Sequence, residues 1–260
     1  GKDILDTIPE SKRRYQVKTL RSPLEEFSKR FQANLSGLLS PDANYPHPHI
    51  QFGNAQNLAL KANSVDLLVT SPPYASNAID YMRAHKFSLV WIGHTISSLG
   101  DKRAEYIGGE AIRDFEFEVL PKSVWEVVQS ISQKDEAKGN VLHRYYSEMT
   151  RTLKEMYRVL KPGKAAIVVV GTSTMRGVDT QTQICLAEIG KTVGFEIPLI
   201  GVRTLDRNRR MLPAGMKLNL KSQIQQRMHE EYVIGYYKPA IAGENDESFD
   251  TSSTISPTHL

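Results

Sequence analysis

One cysteine in 260 residues, Cys185, excludes an internal disulfide and any zinc site built from several thiolates. No stretch approaches the roughly 18 consecutive apolar residues of a membrane-spanning helix, and no signal-peptide pattern opens the chain. His47 and His49 have no partners at metal-ligand spacing, so no metal site is expected. Neither sign of charge is in large excess: the formal net charge of +4 permits a polyanionic partner without requiring one. No internal repeat is visible. These absences leave a soluble, cytoplasmic protein with no membrane association, long enough for one sizeable α/β domain. Cys185 itself lies in "QICLAEIG", at helical spacing with other apolar residues, and is expected in the core.

What is present is a series of alternating elements. Residues 1–49 read as a polar segment followed by a helix, "SPLEEFSKRFQANLSGLL", with Ser22 as N-cap and Pro23 at its first position. Leu24, Phe27, Phe31, Leu35 and Leu38 recur as one buried face would. "HIQF" is expected as a short strand leading into Gly53 and Asn54. "VDLLVT" is a second strand, apolar enough to be central in a parallel sheet. "NAIDYMRAHKFSLVWIG" follows as a helix, with Ile79, Met82, Phe87, Val90 and Trp91 on one stripe. Residues 100–140 lack a persistent period and read as an insertion. "HRYYSEMTRTLKEMYRVL" is a strongly amphipathic helix and "KAAIVVVG" the clearest strand. A helix over about 179–193, a strand through "EIPLIGVRTL" and a last strand, "EEYVIGYYK", complete an α/β sheet over 50–239. The tail, 240–260, has almost no core-forming residues and is expected to be disordered.

The strand "VDLLVT" delivers Thr70, Ser71, Pro72, Pro73 and Tyr74 to its carboxyl end, where open α/β sheets bind ligands. Each proline removes a backbone donor and restricts φ, so the tip offers carbonyl and hydroxyl acceptors with few donors. Tyr74 adds a flat face for stacking. Acceptors beside an aromatic suit an exocyclic amine on a planar heterocycle. The lone pair of such an amine is delocalised into its ring. Acceptors bonded to both N–H groups favour a tetrahedral nitrogen and stabilise the charge that grows as it attacks. In a duplex the base must first be flipped out of the stack. A strand-ending Pro-Pro that merely breaks the chain, with Tyr74 as a loop anchor, is the bland alternative on the tetrapeptide alone.

Ser71-Pro72-Pro73-Tyr74 resembles the (Asp/Asn/Ser)-Pro-Pro-(Tyr/Phe/Trp) signature of the DNA amino-methyltransferases that modify cytosine N4 or adenine N6, including those of restriction–modification systems. "IQFGNAQNLAL" resembles that family's third strand and turn, "MYRVLKPGKAAIVVVG" its fifth strand, and "RMHEEYVIGYYKP" its closing strand. The resemblance implies an S-adenosylmethionine-dependent methyltransferase sheet of Rossmann-like type. It assigns the target amine to Ser71, Pro72, Pro73 and Tyr74, and cofactor contacts to Asn54 and Thr70. Two departures stand out: the opening strands with their glycine-rich cofactor loop are missing, and Asn54 stands where Asp is commoner. The chain is therefore expected to be the catalytic and target-binding portion, with the cofactor loop carried by a second polypeptide or a missing N-terminal segment. Ser in the tetrapeptide favours cytosine N4 over adenine N6. An RNA base as substrate, or a non-catalytic nucleic-acid-binding module, are the other readings. Cytosine-C5 chemistry is disfavoured, because Cys185 follows Ile184 on a helix rather than a proline.

Between Arg203 and Lys221 there are six basic residues against one acidic residue, Asp206. Arg207, Arg209, Arg210 and Lys217 of this stretch are candidates for phosphate contacts with DNA, the plainer reading being a solvated loop.

Overall fold

A computed structural model of the protein describes residues 22–37, 48–75, 81–99, 106–109, 112, 114–171, 173–204 and 230–240. The chain divides into two units, Gly1–Gln51 and Phe52–Leu260. In the first, helix α1 (Pro23–Ser36) starts as its sequence dictates. The Ser22 hydroxyl accepts the Glu25 amide, and proline takes the first position, where no donor is needed. Its apolar stripe is not buried as expected: Leu24, Phe27, Phe31 and Leu35 are all exposed, with Phe27 stacked on Phe31. Local caps and periodicity make this helix without any described element of its unit to cover it.

The second unit is built on a four-stranded sheet in the order β1-β2-β6-β5. Strand β1 (Val65–Thr70) runs parallel to β2 (Leu160–Val170), while β6 (Glu230–Tyr237) runs antiparallel to both β2 and β5 (Ile200–Thr204). A two-stranded hairpin, β3 (Thr174–Met175) and β4 (Val178–Asp179), follows β2. Helix α2 (Tyr81–Trp91) comes after β1; α3 (Lys122–Ser132) and α4 (Glu136–Val159) precede β2; α5 (Thr182–Val193) precedes β5.

The core lies on one face of this sheet. Ala166, Val168, Val170, Ile234 and Tyr236 point alternately inward from β2 and β6. They meet Leu142, Tyr145, Tyr146, Met149 and Leu153 of α4 and Cys185, Leu186 and Ile189 of α5. Cys185 sits in the core as its helical spacing predicts, and burial pushes its thiol up to about 11, far from a reactive thiolate. Lys238, buried just past β6, donates to the Asn63 side chain and to the carbonyls of Tyr157 and Leu160, pinning the closing strand to the junction of α4 and β2.

Four expectations change in this unit. First, β1 is an edge strand in the described sheet, with β2 on one side only. Val65 and Leu68 pack on the core, but Leu67 and Val69 are 57% and 64% exposed on the other face. Second, "HIQF" forms no strand, and Ile50 and Phe52 are exposed, because an extended segment without a neighbour has nothing to pair its backbone with. Third, the second half of the expected insertion is regular. Val124, Val127, Val128 and Ile131 recur at helical spacing and bury α3 against α4. The stripe expected on α2 is also not buried: Phe87 is 83% and Trp91 90% exposed, Ile79 lies outside the described residues, and no described helix or strand covers this face. The expected tail beyond Ala240 lies outside the described residues as well.

Gly190 marks the tightest packing between α5 and β6. A Cβ there would stand 2.3 Å from Cε1 of the fully buried Tyr236. Gly190→Ala gains about 1 kcal/mol of helix propensity but forces a core ring to shift, at a cost of about 3 kcal/mol, the upper end for overpacking. The clash wins. The variant is expected to melt about 4–8 °C lower in a thermal denaturation experiment.

Candidate active site at the end of β1

The parallel pairing of Thr70 with Val168 carries β1 to the carboxyl edge of the sheet, and Ser71–Tyr74 extend beyond it without regular structure. Ser71 is exposed, Pro72, Pro73 and Tyr74 are half-buried, and Ala75 is buried, so the tip is anchored at its far end. Tyr145, fully buried on α4, donates its hydroxyl to the Pro73 carbonyl at 2.9 Å. Burial pushes the Tyr145 phenol far above the ordinary tyrosine range, so it remains a donor at any working pH. One of the tip's acceptors is thus consumed in fixing the tip. No described residue donates to the Pro72 carbonyl or the Ser71 hydroxyl.

Tyr145 also touches a second segment. A Cβ at Gly108 would lie 3.3 Å from its ring, and φ of +77° is a second reason for glycine there. The Gly108 amide donates to Glu148 Oε2 at 2.6 Å, while Arg144 binds Glu148 Oε1. Desolvation raises the Glu148 carboxyl, against the opposing pull of the Gly108 amide and Arg144. This buried pair moors the 106–109 turn beside the tip.

Tyr74 is held from its other end. Its hydroxyl donates to Glu231 Oε1 at 3.2 Å, and Glu231 in turn pairs with Arg203 through Oε2. Arg203 and Glu231 stand directly opposite each other on β5 and β6. At the same carboxyl edge, a hydroxyl network of Ser173, Thr180 and Thr182 shapes the turn after β2, and Tyr146 donates to the Thr180 carbonyl. That turn holds the β3–β4 hairpin.

The structure therefore brings Thr70, Ser71, Pro72, Pro73 and Tyr74 together with three residues whose role the sequence did not reveal: Tyr145, Glu231 and Arg203. In the sequence Tyr145 stands in an aromatic pair, Tyr145–Tyr146, inside an amphipathic helix, and Arg203 opens the basic stretch; Glu231 gives no signal. Asn54 makes no hydrogen bond with this tip among the described residues. Its side chain accepts the Gln56 amide within its own turn. The following residues are tied to Glu155 and Arg158, which bind the Leu58 amide and the Leu58 and Leu60 carbonyls. Hydrogen bonds from Arg158 and Leu58 hold the Glu155 carboxyl down to about 2. Glu155 stands ten residues beyond Tyr145, about 15 Å along the helix axis. Arg207, Arg209, Arg210 and Lys217 lie outside the described residues.

A parallel strand ending in an acceptor-rich Pro-Pro-Tyr, in one sheet with an antiparallel closing strand, is the arrangement that the resemblance implied. A family model described as DNA methylase matches residues 65–247. The chain belongs to the DNA methylase family. The matched region of this family member starts at the first residue of β1 and includes every element of the sheet. Among relatives, the Type II methyltransferase M.MvaI of Kocuria varians is 27% identical over 190 residues, covering 64% of this chain and 41% of its own length. The Type II methyltransferase M.AvaI of Nostoc sp. is 24% identical over 153 residues, covering 52% and 32%. Among solved structures, the cytosine-N4-specific PvuII DNA methyltransferase aligns at 18% identity and a TM-score of 0.40, over 72% of this chain and 49% of that one. The chain thus spans less than half the length of these relatives.

Proposed function

We propose that this chain is the target-binding portion of a DNA amino-methyltransferase that transfers a methyl group from S-adenosyl-L-methionine to an exocyclic base nitrogen, cytosine N4 in preference to adenine N6. The observation that carries the proposal is the tip itself. Tyr145 occupies the Pro73 carbonyl, leaving the Pro72 carbonyl and Ser71 hydroxyl to receive the two N–H groups of an amine, with Tyr74 beside them to stack the ring. Those acceptors stabilise positive charge developing on the nitrogen during direct, in-line attack on the donor's methyl group. Thr70 ends the strand on which the donor's reactive end would face the tip. Arg207, Arg209, Arg210 and Lys217 would contact phosphates and position the duplex.

The described residues suit the target better than the donor. None of them forms a glycine-rich loop on a strand beside β1, and the place such a strand would take is the unpaired edge of β1. The donor-holding loop therefore comes from an additional segment or second polypeptide paired with that edge. An open edge and an uncovered apolar sheet face support this reading.

The test is chemical. The full-length protein, incubated with methyl-labelled S-adenosyl-L-methionine and, in parallel, methylation-free plasmid DNA or unmodified RNA, is expected to yield N4-methylcytosine from the DNA after digestion to nucleosides. N6-methyladenine would retain the enzyme and correct the target base. Label confined to RNA, or absent from both nucleic acids, would overturn the proposal.

A further inference from the structure

We propose that Glu231 is a positioning residue for Tyr74, holding the stacking ring by its hydroxyl while Arg203 keeps the carboxylate aimed; this rests on reading Tyr74 as the residue that stacks the target base. Glu231 is the second residue of β6, and its cross-strand partner on β5 is Arg203. Its side chain is 14% exposed, whereas that of Arg203 is 65% exposed. The two carboxylate oxygens are divided between two tasks. Oε2 takes the Arg203 guanidinium, and Oε1 takes the Tyr74 hydroxyl at 3.2 Å.

An ion pair this open to solvent adds little to stability by itself. Its use is orientational. It holds one carboxylate oxygen in place and leaves the other aimed at the Tyr74 hydroxyl. The backbone of the tip is meanwhile held by Tyr145 at the Pro73 carbonyl, one residue before Tyr74. The Tyr74 ring is thus fixed at both ends, by its neighbouring peptide and by its hydroxyl. Stacking alone needs only the face of a ring, which phenylalanine would supply equally well. A hydroxyl tied to a charged group on another strand adds a fixed plane for the ring, and hence for the amine presented beside it. Such preorganisation acts on the rate of the bound complex more than on its formation.

The experiment is a double-mutant cycle on the full-length protein with methylation-free plasmid DNA. Tyr74→Phe and Glu231→Leu are each expected to lower kcat about five- to tenfold with little change in KM for DNA, and the double variant is expected to be no slower than either single one. Glu231→Gln, which keeps an acceptor oxygen, is expected to recover most of the rate. Additive losses in the double variant, a loss expressed in KM alone, or no recovery by Gln would overturn the positioning role. A second readout does not depend on methyl transfer: the fluorescence of 2-aminopurine in an oligonucleotide reports stacking on an aromatic ring. A protein that transfers no methyl group, yet loses part of its quenching on Tyr74→Phe and Glu231→Leu without additivity, would remove the proposed reaction and leave the positioning intact. Quenching unchanged even in Tyr74→Ala would overturn both.

Discussion

Tyr74→Ala is expected to slow methyl transfer between about fivefold and 150-fold, the equivalent of 1–3 kcal/mol of lost base stacking. The same substitution is expected to cost folding far less, because the side chain is only half-buried and its hydroxyl bond ends on a carboxylate already paired with Arg203. The two effects separate cleanly when single-turnover rates and thermal melts are measured on the same preparation. If the variant turned over at near the wild-type rate, Tyr74 would be a loop anchor, and the tip would need another residue to hold its base. If it simply unfolded, the ring would belong to the core. A folded, slow enzyme is the outcome the geometry predicts.

The isolated 260-residue chain is expected to bind S-adenosyl-L-methionine negligibly in calorimetry, and to gain binding when the segment bearing the glycine-rich loop is supplied. The physical reason lies in β1. In the described sheet its outer edge carries unpaired backbone groups, and Leu67 and Val69 stand more than half exposed on the face turned away from the core. Sheets of this class bury both faces, and edges of this kind recruit strands. A chain in this condition takes its missing strands from elsewhere, pairs with its own copy, or aggregates. Size-exclusion chromatography alongside the calorimetry distinguishes these outcomes. Tight donor binding by a stable monomer would mean that the described residues already hold the donor, and the reading of β1 as an edge awaiting its neighbour would fall.

Much of this architecture was legible from periodicity. α4, β2, α5 and β6 lie where their apolar spacing and their Gly and Pro stops place them. β1 reads as central because four of its six residues are apolar. The strand does carry residues suited to two buried faces, but only one face is covered here, so its sequence records a neighbour that the described sheet lacks. α3 escaped notice because its four buried residues follow a charged stretch without a period. In α1 and α2 the stripe made the helix without predicting burial, since burial needs a partner that spacing cannot supply. The tetrapeptide was visible as a motif. Its supports were not, because Tyr145, Glu231 and Arg203 gain their meaning only from strands and helices that the fold brings alongside.

Those supports reach far along the chain. The bond from Tyr145 to Pro73 spans 72 positions and that from Tyr74 to Glu231 spans 157, whereas α3 meets α4 across a turn of a few residues. Closing a longer loop costs more entropy, and contacts between remote positions form late. The helical layer can collapse from local encounters, while the tip acquires its two tethers only once the first and last strands have both joined β2. The geometry of Ser71–Tyr74 is therefore expected to be the last this chain gains as it folds and the first it surrenders when either of these two strands frays, so activity during refolding should lag behind the recovery of helical signal.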